Sequence, residues 1–515
     1  MKGKVAVAFL GLVVQAGLAQ TVADVHSVLQ ASLAAMGGAN LKTIQYSATG
    51  WSSRVGQTYG LAEDWPRYEV TDYTRVIDYG AKWSREDYTR RQGKYPLLGR
   101  PPMPEEHVTS ILRGTYAWDM RGDKPVPLTS LYLDGVPYTD LRQLELAITP
   151  HGFLKAALAA KDATAITLPI IGPSDYGLSQ NGRKVTIVSF TIGKYRVNGT
   201  INDQNLVELT DTWFPNPVYG DMDYEMRYTN YMKFDGVEFP TLLHVHQGDP
   251  RLNPAHNYYE YNVTDVKANV PVTPMAVPDE VRAATAPPVR VESEKLAEGV
   301  WLLGGGTHNS VLVEFKDFLT VIEAPQNEAR SLAVIAEATR LVPSKLIRYV
   351  VNTHHHFDHA GGLRAFVAEG STIVTHQVNK AYYEKIFKDP HTLVPDKLSQ
   401  MNPQPKVKIE TMTEKKVMTD GEHTIEIYHV QGSTHNEGML IAYLPKQKVL
   451  VEADEFNVGA ANAPTPANIN PYHSNLLANI ERLHLDVDRI IPVHLPNDGR
   501  KVAMAELYTA AGKKN

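Results

Sequence analysis

A histidine-rich segment directly after an apolar run constrains the fold of this chain more than any other feature. The run at residues 346–351, Leu-Ile-Arg-Tyr-Val-Val, is typical of a buried strand. Four candidate metal ligands follow within six residues: His354, His356, Asp358 and His359. A loop that leaves a strand can direct the first two side chains toward one point, and the last two toward a second point nearby. The sequence therefore predicts a strand, a loop and a helix that meet at a metal.

The types of side chain narrow the chemistry of this site. Imidazole and carboxylate are the ligands that zinc takes when thiolates are missing, and the chain has no cysteine. Four ligands are too few for two metal ions, so more are expected further along the chain. Three candidates each follow an apolar run, at positions where α/β folds gather their ligands: His435, Asp454 and His494.

The length of 515 residues is too great for one ordinary core, which predicts two domains. Residues 1–19 have the pattern of an export signal, with Lys2 and Lys4 before an apolar run that is too short to span a bilayer. We therefore expect an exported protein, periplasmic or extracellular, without a transmembrane anchor. Because cysteine is absent, this protein must fold without disulfides in an oxidising compartment.

Residues 20–270 are predicted to form a twisted antiparallel β-sheet domain with one or two helices. Segments rich in Tyr, Val and Thr alternate there with Asn-Gly, Asp-Gly and Gly-Asp turns. The clearest predicted helix is Leu141–Ala160, with Thr139 as its cap. The pattern has a faint similarity to periplasmic lipoprotein-carrier domains, which would make envelope components or lipids partners of this domain.

A proline-rich segment separates this domain from the second one. Residues 271–289 contain five prolines and few large apolar side chains, which predicts a stiff, extended linker. In residues 290–515, short apolar strands alternate with helical stretches such as Ala329–Leu341. This alternation predicts an α/β architecture for the second domain.

The ligand motifs, in this order, resemble the signature of the metallo-β-lactamase superfamily over roughly residues 295–500. The resemblance implies an αββα sandwich, with two zinc ions bound at one edge of its two sheets. It implies the following ligands: His354, His356 and His435 for one zinc, Asp358, His359 and His494 for the second, and Asp454 as a bridge between them.

The chain departs from the superfamily at one position. The first motif usually ends a strand with Asp, whereas this chain has Glu323 after Val321 and Ile322. In the superfamily this carboxylate supports a metal ligand through a hydrogen bond. A longer carboxylate can fill the same role, and an exposed glutamate at the end of a strand is the alternative interpretation.

Two zinc ions that share a bridging oxygen would lower the pKa of bound water toward neutrality and supply hydroxide for hydrolysis. Asp358 is the expected catalytic residue, which orients this hydroxide and passes a proton to the leaving group. Candidates for the substrate pocket are His308, in a glycine-rich turn, and Tyr472 and His473, which follow the small, flexible segment 459–468. A plain surface loop is the alternative for that segment.

Motifs and composition favour a hydrolase that cleaves an ester, a lactone, an amide such as a β-lactam, or a related bond in a small molecule. The net charge is −6 and no long basic run is present, so a nucleic-acid partner is not expected. No Gly-x-Ser-x-Gly motif indicates a serine hydrolase. Two alternatives stay open: an iron-dependent dioxygenase or oxidoreductase on the same fold, and a binding or carrier protein whose activity lies in the N-terminal domain.

A pair of histidines in the first domain, His244 and His246, is spaced to lie on one face of a strand. Metal binding at this pair is one interpretation. Apart from His256, no third histidine or carboxylate is identified nearby in the sequence as a further ligand, so a polar strand face exposed to solvent is the favoured interpretation.

Overall fold

The computed structural model describes residues 21–99, 103–128, 131–132, 136–169, 183–249, 251–496 and 498–513. The predicted export signal at residues 1–19 lies outside the described residues. Among the described residues, none of the helices has the length and apolar character needed to cross a membrane.

The first domain is built on one large antiparallel sheet. The strands of this domain are β1 (Thr21–Val22), β2 (Thr43–Ser53), β3 (Arg67–Asp78), β4 (Trp83–Gln92), β5 (Glu106–Arg113), β6 (Tyr116–Arg121), β7 (Lys124–Pro127), β8 (Leu131–Tyr132), β9 (Val136–Pro137), β10 (Thr164–Pro169), β11 (Lys184–Ile192), β12 (Tyr195–Ile201), β13 (Val207–Asn216), β14 (Gly220–Phe234), β15 (Val237–Gln247) and β16 (His256–Ala268). Strands β8 and β9 pair only with each other. The others form a fourteen-stranded sheet in the order β1-β10-β11-β12-β13-β14-β15-β16-β2-β3-β4-β5-β6-β7.

Three helices pack against this sheet through its apolar core: α1 (Val25–Ala35), α2 (Tyr138–Ala147) and α3 (Pro150–Ala159). The predicted antiparallel sheet domain is confirmed, but the single helix predicted at 141–160 is wrong because it is two helices. Pro150 lacks an N–H and forces the preceding Thr149 into an extended conformation with ψ 154°, so the chain breaks between them. Thr139 lies inside α2 and is not its cap.

The predicted linker at residues 271–289 is not extended throughout. A short helix, α4 (Asp279–Ala283), forms within it. Val277 and Val281 are buried against Trp83 in a small apolar cluster of the first domain. The segment is therefore fastened to the first domain by its few apolar side chains.

The second domain contains two sheets, seven α-helices and one short 3₁₀ helix (Gln377–Asn379) within its described residues. Its strands are β17 (Glu292–Ala297), β18 (Val300–Gly304), β19 (Ser310–Glu314), β20 (Leu319–Ile322), β21 (Ile347–Val351), β22 (Thr372–His376), β23 (Lys408–Met412), β24 (Lys415–Thr419), β25 (Thr424–His429), β26 (Leu440–Leu444), β27 (Val449–Glu452), β28 (Arg489–Pro492) and β29 (Val502–Ala503). Its α-helices are α5 (Glu328–Leu341), α6 (Phe357–Ala360), α7 (Leu363–Ala368), α8 (Lys380–Ile386), α9 (Lys397–Gln400), α10 (Pro471–Arg482) and α11 (Met504–Ala510).

These strands and helices form four layers. Strands β17 to β23 make one sheet and β24 to β29 make the other, each in chain order. The sheets face each other across a core that includes Val311 and Val351 from one and Ile427 and Val451 from the other. Helices α5, α7 and α8 cover the outer face of the first sheet, and α10 and α11 cover the outer face of the second. The predicted αββα sandwich is confirmed.

The two domains share a buried interface next to the histidine-rich motif. Trp65 and Tyr219 of the first domain belong to the same apolar cluster as Phe357 and Tyr382 of the second. The ring of Tyr219 lies 4.8 Å from the ring of Phe357, centroid to centroid. Because Phe357 lies inside the motif, the first domain packs directly beside the predicted metal ligands.

Candidate metal centre

The predicted ligands converge at one edge of the αββα sandwich, where they form two groups. The first group is His354, His356, His435 and Asp454, and the second is His308, Asp358, His359 and His494. Within each group, one ligand atom from every residue lies within 4.8 Å of those from the other members. Six of the eight lie in loops that follow strands, and Asp358 and His359 lie in the short helix α6 directly after the loop that leaves β21, which is where an α/β fold gathers its ligands.

In the first group, three ring nitrogens face one another without hydrogen bonds. These atoms are His354 Nε2, His356 Nδ1 and His435 Nε2, and none has a hydrogen-bond partner of acceptable geometry within the described part of the chain. A buried polar atom without a partner is destabilising, so such atoms are rare in a folded protein. Three converging imidazole nitrogens are a donor set that zinc accepts, and the site therefore fits a metal ion.

Asp454 lies between the two groups. Its Oδ2 is 2.9 Å from His435 Nε2 and 3.3 Å from His359 Nε2, and its Oδ1 is 2.8 Å from His494 Nε2. The residue has a φ of +63°, a left-handed conformation that is uncommon outside glycine and often marks a functional site. One carboxylate thus reaches ligands of both groups, as the bridging role requires.

The second group opens to solvent. Asp358 Oδ2 lies 3.5 Å from His494 Nε2, 3.7 Å from His359 Nε2 and 3.9 Å from His308 Nε2. A backbone bridge joins His308 to His494 across the two sheets. The side chain of His494 is 34% exposed and that of Asp358 is 17% exposed, whereas His354 is fully buried. A substrate can therefore reach the centre from the side of the second group.

The charges of the centre favour a cation. Burial alone would raise the pKa of Asp454, but His359 and His494 outweigh it and hold that pKa well below its ordinary value. Asp358 is likewise shifted down, because its histidine neighbours outweigh burial. Burial would lower the pKa of His494, but Asp454 and Asp358 raise it to about 9. The two carboxylates thus concentrate negative charge at the point where the imidazoles meet.

The pKa values of His354 and His356, two histidines of the first group, are shifted down. Burial, and then the charge of His359, holds the pKa of His354 well below its ordinary value. Burial has the same effect on His356, with His354 and His435 adding to it. These two imidazoles are therefore neutral at pH 7, which is the state that a metal ligand needs.

Glu323 supports this centre from behind. Its side chain is fully buried, at the end of β20, so it is not an exposed glutamate at a strand end. Oε2 lies 2.8 Å from Nδ1 of His359, and Oε1 accepts a hydrogen bond of 2.7 Å from the backbone N–H of Thr353. The glutamate therefore fixes the ring of His359 with Nε2 directed into the site, the task expected for the aspartate that it replaces.

A loop of the first domain also reaches the centre, through Gln57 and Thr58. The side chain of Gln57 donates a hydrogen bond of 2.8 Å from Nε2 to Oδ1 of Asp358. His356 Nε2 donates to the carbonyl oxygen of Thr58 at 2.7 Å, which leaves Nδ1 of that ring directed into the site. The Thr58 hydroxyl lies 2.8 Å from Nε2 of His355. The first domain therefore orients two of the predicted ligands.

The same loop packs too tightly against the motif for most side chains. Gly56 has a φ of +78°, and a Cβ at this position would lie 2.4 Å from Cγ of Phe357. The backbone N–H of Phe357 donates to the carbonyl oxygen of Gly56 at 3.2 Å. A glycine is needed here because it alone combines this conformation with this close approach.

Of the three residues predicted to line a substrate pocket, one lines a cavity and the other two lie outside it. A cavity of about 620 Å³ is lined by His473, by Phe456 and by part of the segment 459–468, including Gly459 to Pro464. Tyr472 does not line it, since its side chain is buried and its ring lies 5.2 Å from that of His435. The third candidate, His308, lies in the second group beside Asp358.

Gln57 and Thr58 were not among the residues that the sequence singled out. They lie about 300 positions before the ligands that they touch, in a loop without a metal-binding pattern. The only local signal is the pair of glycines on either side, Gly56 and Gly60, and glycines are common in loops of every kind.

The second domain is similar to a known protein family and to solved structures. Residues 303–494 match the family model described as the metallo-beta-lactamase superfamily. Among solved structures, a metallo-beta-lactamase from Pontibacter korlensis is similar, with 17% sequence identity over 43% of this chain and 98% of that chain and a TM-score of 0.33. A metallo-beta-lactamase from Hirschia baltica has 19% identity over 43% of this chain and 97% of that chain, with a TM-score of 0.32.

A third similar structure is an oxidoreductase. It is the rubredoxin oxygen:oxidoreductase from the anaerobe Desulfovibrio gigas, with 20% identity over 39% of this chain and 56% of that chain and a TM-score of 0.31. No curated protein is significantly similar to the chain in sequence. The match of residues 303–494 confirms the resemblance that the ligand motifs indicated, and its position in the second domain.

Proposed function

We propose that this protein is an exported hydrolase that holds two zinc ions and cleaves an ester, lactone, amide or related bond of a small molecule. The observation that carries the proposal is the convergence of two groups of four ligand residues on the shared carboxylate Asp454. Three buried imidazole nitrogens of the first group make no well-directed hydrogen bond, and two of them lie within 3.4 Å of Oδ2 of Asp454.

Each group supplies what a zinc ion requires. His354, His356 and His435 would hold one ion, and Asp358, His359 and His494 the other, with Asp454 between them. His308, whose Nε2 lies 3.9 Å from Oδ2 of Asp358, could serve as a further ligand of the second group. When bound, zinc supplies Lewis acidity and lowers the pKa of water that it coordinates.

Asp358 is the residue that we assign to proton transfer. Its pKa lies well below the ordinary value, so the carboxylate is ionised at neutral pH and can accept a proton. Its Oδ2 faces the histidines of the second group, and its Oδ1 is held by Gln57. Since its side chain is 17% exposed, Asp358 is accessible to a substrate that enters from the open side.

The imidazole and carboxylate ligands also suit iron, so metal identity separates a hydrolase from an oxidoreductase. The protein should be purified without added metal and without a histidine tag, and its zinc and iron contents measured. The same sample should be assayed with a lactone, a β-lactam, a thioester and a phosphodiester, and for oxygen consumption. We expect zinc and turnover of at least one of these substrates. Iron with oxygen consumption and no hydrolysis would contradict the proposal.

Matched variants identify the site in this assay. His354→Ala removes a buried ligand of the first group, and His26→Ala removes an exposed histidine of the first domain. We expect hydrolysis to disappear in the first variant and to stay unchanged in the second. An unchanged rate in His354→Ala would place the activity elsewhere, such as in the first domain.

The export in this proposal rests on the pattern of residues 1–19. Expression of the full chain in a bacterium, followed by fractionation and sequencing of the mature N-terminus, tests it. We expect the protein outside the cytoplasm, with a new N-terminus at or near Gln20. A cytoplasmic protein that keeps Lys2 and Lys4 would contradict this part of the proposal.

A further inference from the structure

A second arrangement of histidines and carboxylates lies in the first domain, on one face of three neighbouring strands. On β15, His244 pairs in register with Glu260 of β16, and His246 pairs with Asn257 of β16 and with Glu225 of β14. The two histidine side chains are only 21% and 23% exposed. The expected solvated strand face is therefore wrong, because both rings are mostly buried and have partners.

The two rings direct the same nitrogen toward a common point. The Nε2 atoms of His244 and His246 are 2.9 Å apart. On the opposite side of each ring, His244 Nδ1 lies 2.8 Å from Oε2 of Glu260, and His246 Nδ1 lies 3.4 Å from Oε1 of Glu225. A carboxylate on Nδ1 holds the proton on that nitrogen, which leaves Nε2 with a lone pair.

Asn257 adds an oxygen to the same point. Its Oδ1 lies 3.0 Å from Nε2 of His244, while its Nδ2 donates a hydrogen bond of 3.1 Å to Asp64. That donation fixes the amide with its oxygen toward the histidines. A carbonyl oxygen and an imidazole nitrogen without a proton are both acceptors, so three lone pairs meet here. They repel one another unless a cation lies between them or one ring instead carries its proton on Nε2 and donates it.

A proton shared by the two rings is the alternative to a metal ion. A proton between the two Nε2 atoms would make one ring an imidazolium, because each Nδ1 keeps its own proton beside a carboxylate. The charged groups that face the pair are Glu225 and Glu260, which attract a cation, and Arg227, which Glu225 binds at 2.6 Å. The two carboxylates therefore attract a cation to the pair.

We propose that His244 and His246 bind one divalent first-row metal ion, with Asn257 as the third ligand and with Glu260 and Glu225 holding the rings. Two imidazoles and an amide oxygen select a borderline ion such as Zn²⁺, Ni²⁺ or Cu²⁺ over Mg²⁺ or Ca²⁺. The separation of 2.9 Å between the two nitrogens matches neighbouring ligands at an angle of about 90° on an ion with bonds of about 2.1 Å, the angle of square-planar and octahedral sites and not of tetrahedral ones. This site is separate from the candidate metal centre of the second domain.

Equilibrium dialysis of the untagged full chain against Zn²⁺ alone tests the proposal. The double variant His244→Gln/His246→Gln removes both nitrogens, and His26→Gln/His107→Gln removes two exposed histidines of the same domain as a matched control. We expect the first variant to bind one zinc ion fewer per chain than the wild type, and the control to bind the same number. An equal number in all three proteins would overturn the proposal.

The test does not depend on the number of ions at the other centre, because it measures a difference between proteins that share that centre. Hydrolysis by the double variant reports whether it is folded, since its change lies outside the catalytic residues. A second variant, Glu260→Gln, keeps both histidines and removes one supporting carboxylate. We expect it to bind the same ion with an affinity about 10- to 100-fold lower. Full affinity in this variant would contradict the role given to Glu260.

Discussion

Gln57 of the first domain donates a hydrogen bond of 2.8 Å from Nε2 to Oδ1 of Asp358, a predicted metal ligand 301 positions later in the chain. Close by, the carbonyl oxygen of Thr58 accepts a hydrogen bond from His356. Metal ligands that are held by such outer partners keep their orientation and their affinity. The first domain therefore contributes to the candidate metal centre of the second.

Replacement of Gln57 by leucine removes the donor to Asp358 at nearly constant volume. We expect a loss of about 10- to 100-fold in affinity for the metal of the second group, with a similar loss of hydrolytic rate. Titration of the metal-free protein with Zn²⁺, and kcat measured at saturating zinc, check this. Gln204→Leu is the control, since Gln204 is an exposed glutamine of the same domain. Equal affinities in both variants would show that Gln57 does not position Asp358.

Replacement of Gly56 by alanine should displace the loop that carries Gln57. The new Cβ would meet the ring of Phe357 at 2.4 Å, and the φ of +78° strains any residue with a side chain. We expect a loss of about 1–3 kcal/mol in the free energy of unfolding and a loss of activity beyond that caused by unfolding. Urea denaturation and a rate corrected for the folded fraction measure the two effects.

Gly114→Ala separates strain from displacement. Gly114 has a φ of +58°, yet a Cβ there would meet no atom within 4 Å. This variant should lose about 1 kcal/mol through backbone strain alone and keep its full activity. If Gly56→Ala and Gly114→Ala lose the same fraction of activity, the contact between the loop and Phe357 is not needed for activity.

Replacement of Glu323 by glutamine keeps the size of the side chain and removes its charge. Glu323 contacts Nδ1 of His359 at 2.8 Å and the N–H of Thr353 at 2.7 Å. An amide can still bond to one of these groups, but it no longer favours the proton on Nδ1. We expect metal affinity to fall about 10- to 100-fold. Glu323→Asp, the residue usual in the superfamily, should retain more affinity than Glu323→Gln, and the reverse order would contradict an electrostatic role.

His151 makes the first domain sensitive to acid. The side chain is fully buried between α3 and the sheet, and burial lowers its pKa to about 4. In the unfolded chain this ring takes up a proton near pH 6.5, whereas in the folded protein it does so only near pH 4. The free energy of unfolding is therefore at its full value above pH 6.5, and it decreases as the pH falls toward 4. The loss amounts to about 3 kcal/mol.

The variant His151→Gln tests this effect, because an amide does not titrate. Between pH 7 and pH 4.5, its urea midpoint should fall less than that of the wild type, although the carboxylates of both proteins titrate alike. The exposed His26→Gln should follow the wild type. Identical pH dependence in His151→Gln and wild type would show that this ring carries no proton-linked stability.

The metal ligands could be predicted from the sequence because their spacing follows from local geometry. His354 and His356 lie in the loop after β21, Asp358 and His359 lie in the helix α6 that follows it, and His435, Asp454 and His494 each follow an apolar strand. A strand end is visible in the sequence, and histidine or aspartate at such a position is uncommon without a function. The order of the motifs then identified the fold of the second domain.

Contacts that depend on register or on domain packing were not predictable in this way. Gln57 meets Asp358 only after two domains have folded and docked. The carboxylates beside His244 and His246 come from neighbouring strands, and only the pairing of β14, β15 and β16 brings them together. By contrast, the break at Pro150 was visible in the sequence, but the apolar periodicity on both sides favoured one continuous helix.

The central claim is that two groups of residues from separate loops bind two metal ions around Asp454. Diffraction from crystals of the zinc-loaded protein, collected on both sides of the zinc absorption edge, tests it most directly. We predict two anomalous peaks, one among His354, His356 and His435 and one among Asp358, His359 and His494, with Asp454 in contact with both. A map with no peak between these side chains, or with His435 or His494 directed away from Asp454, would contradict the claim.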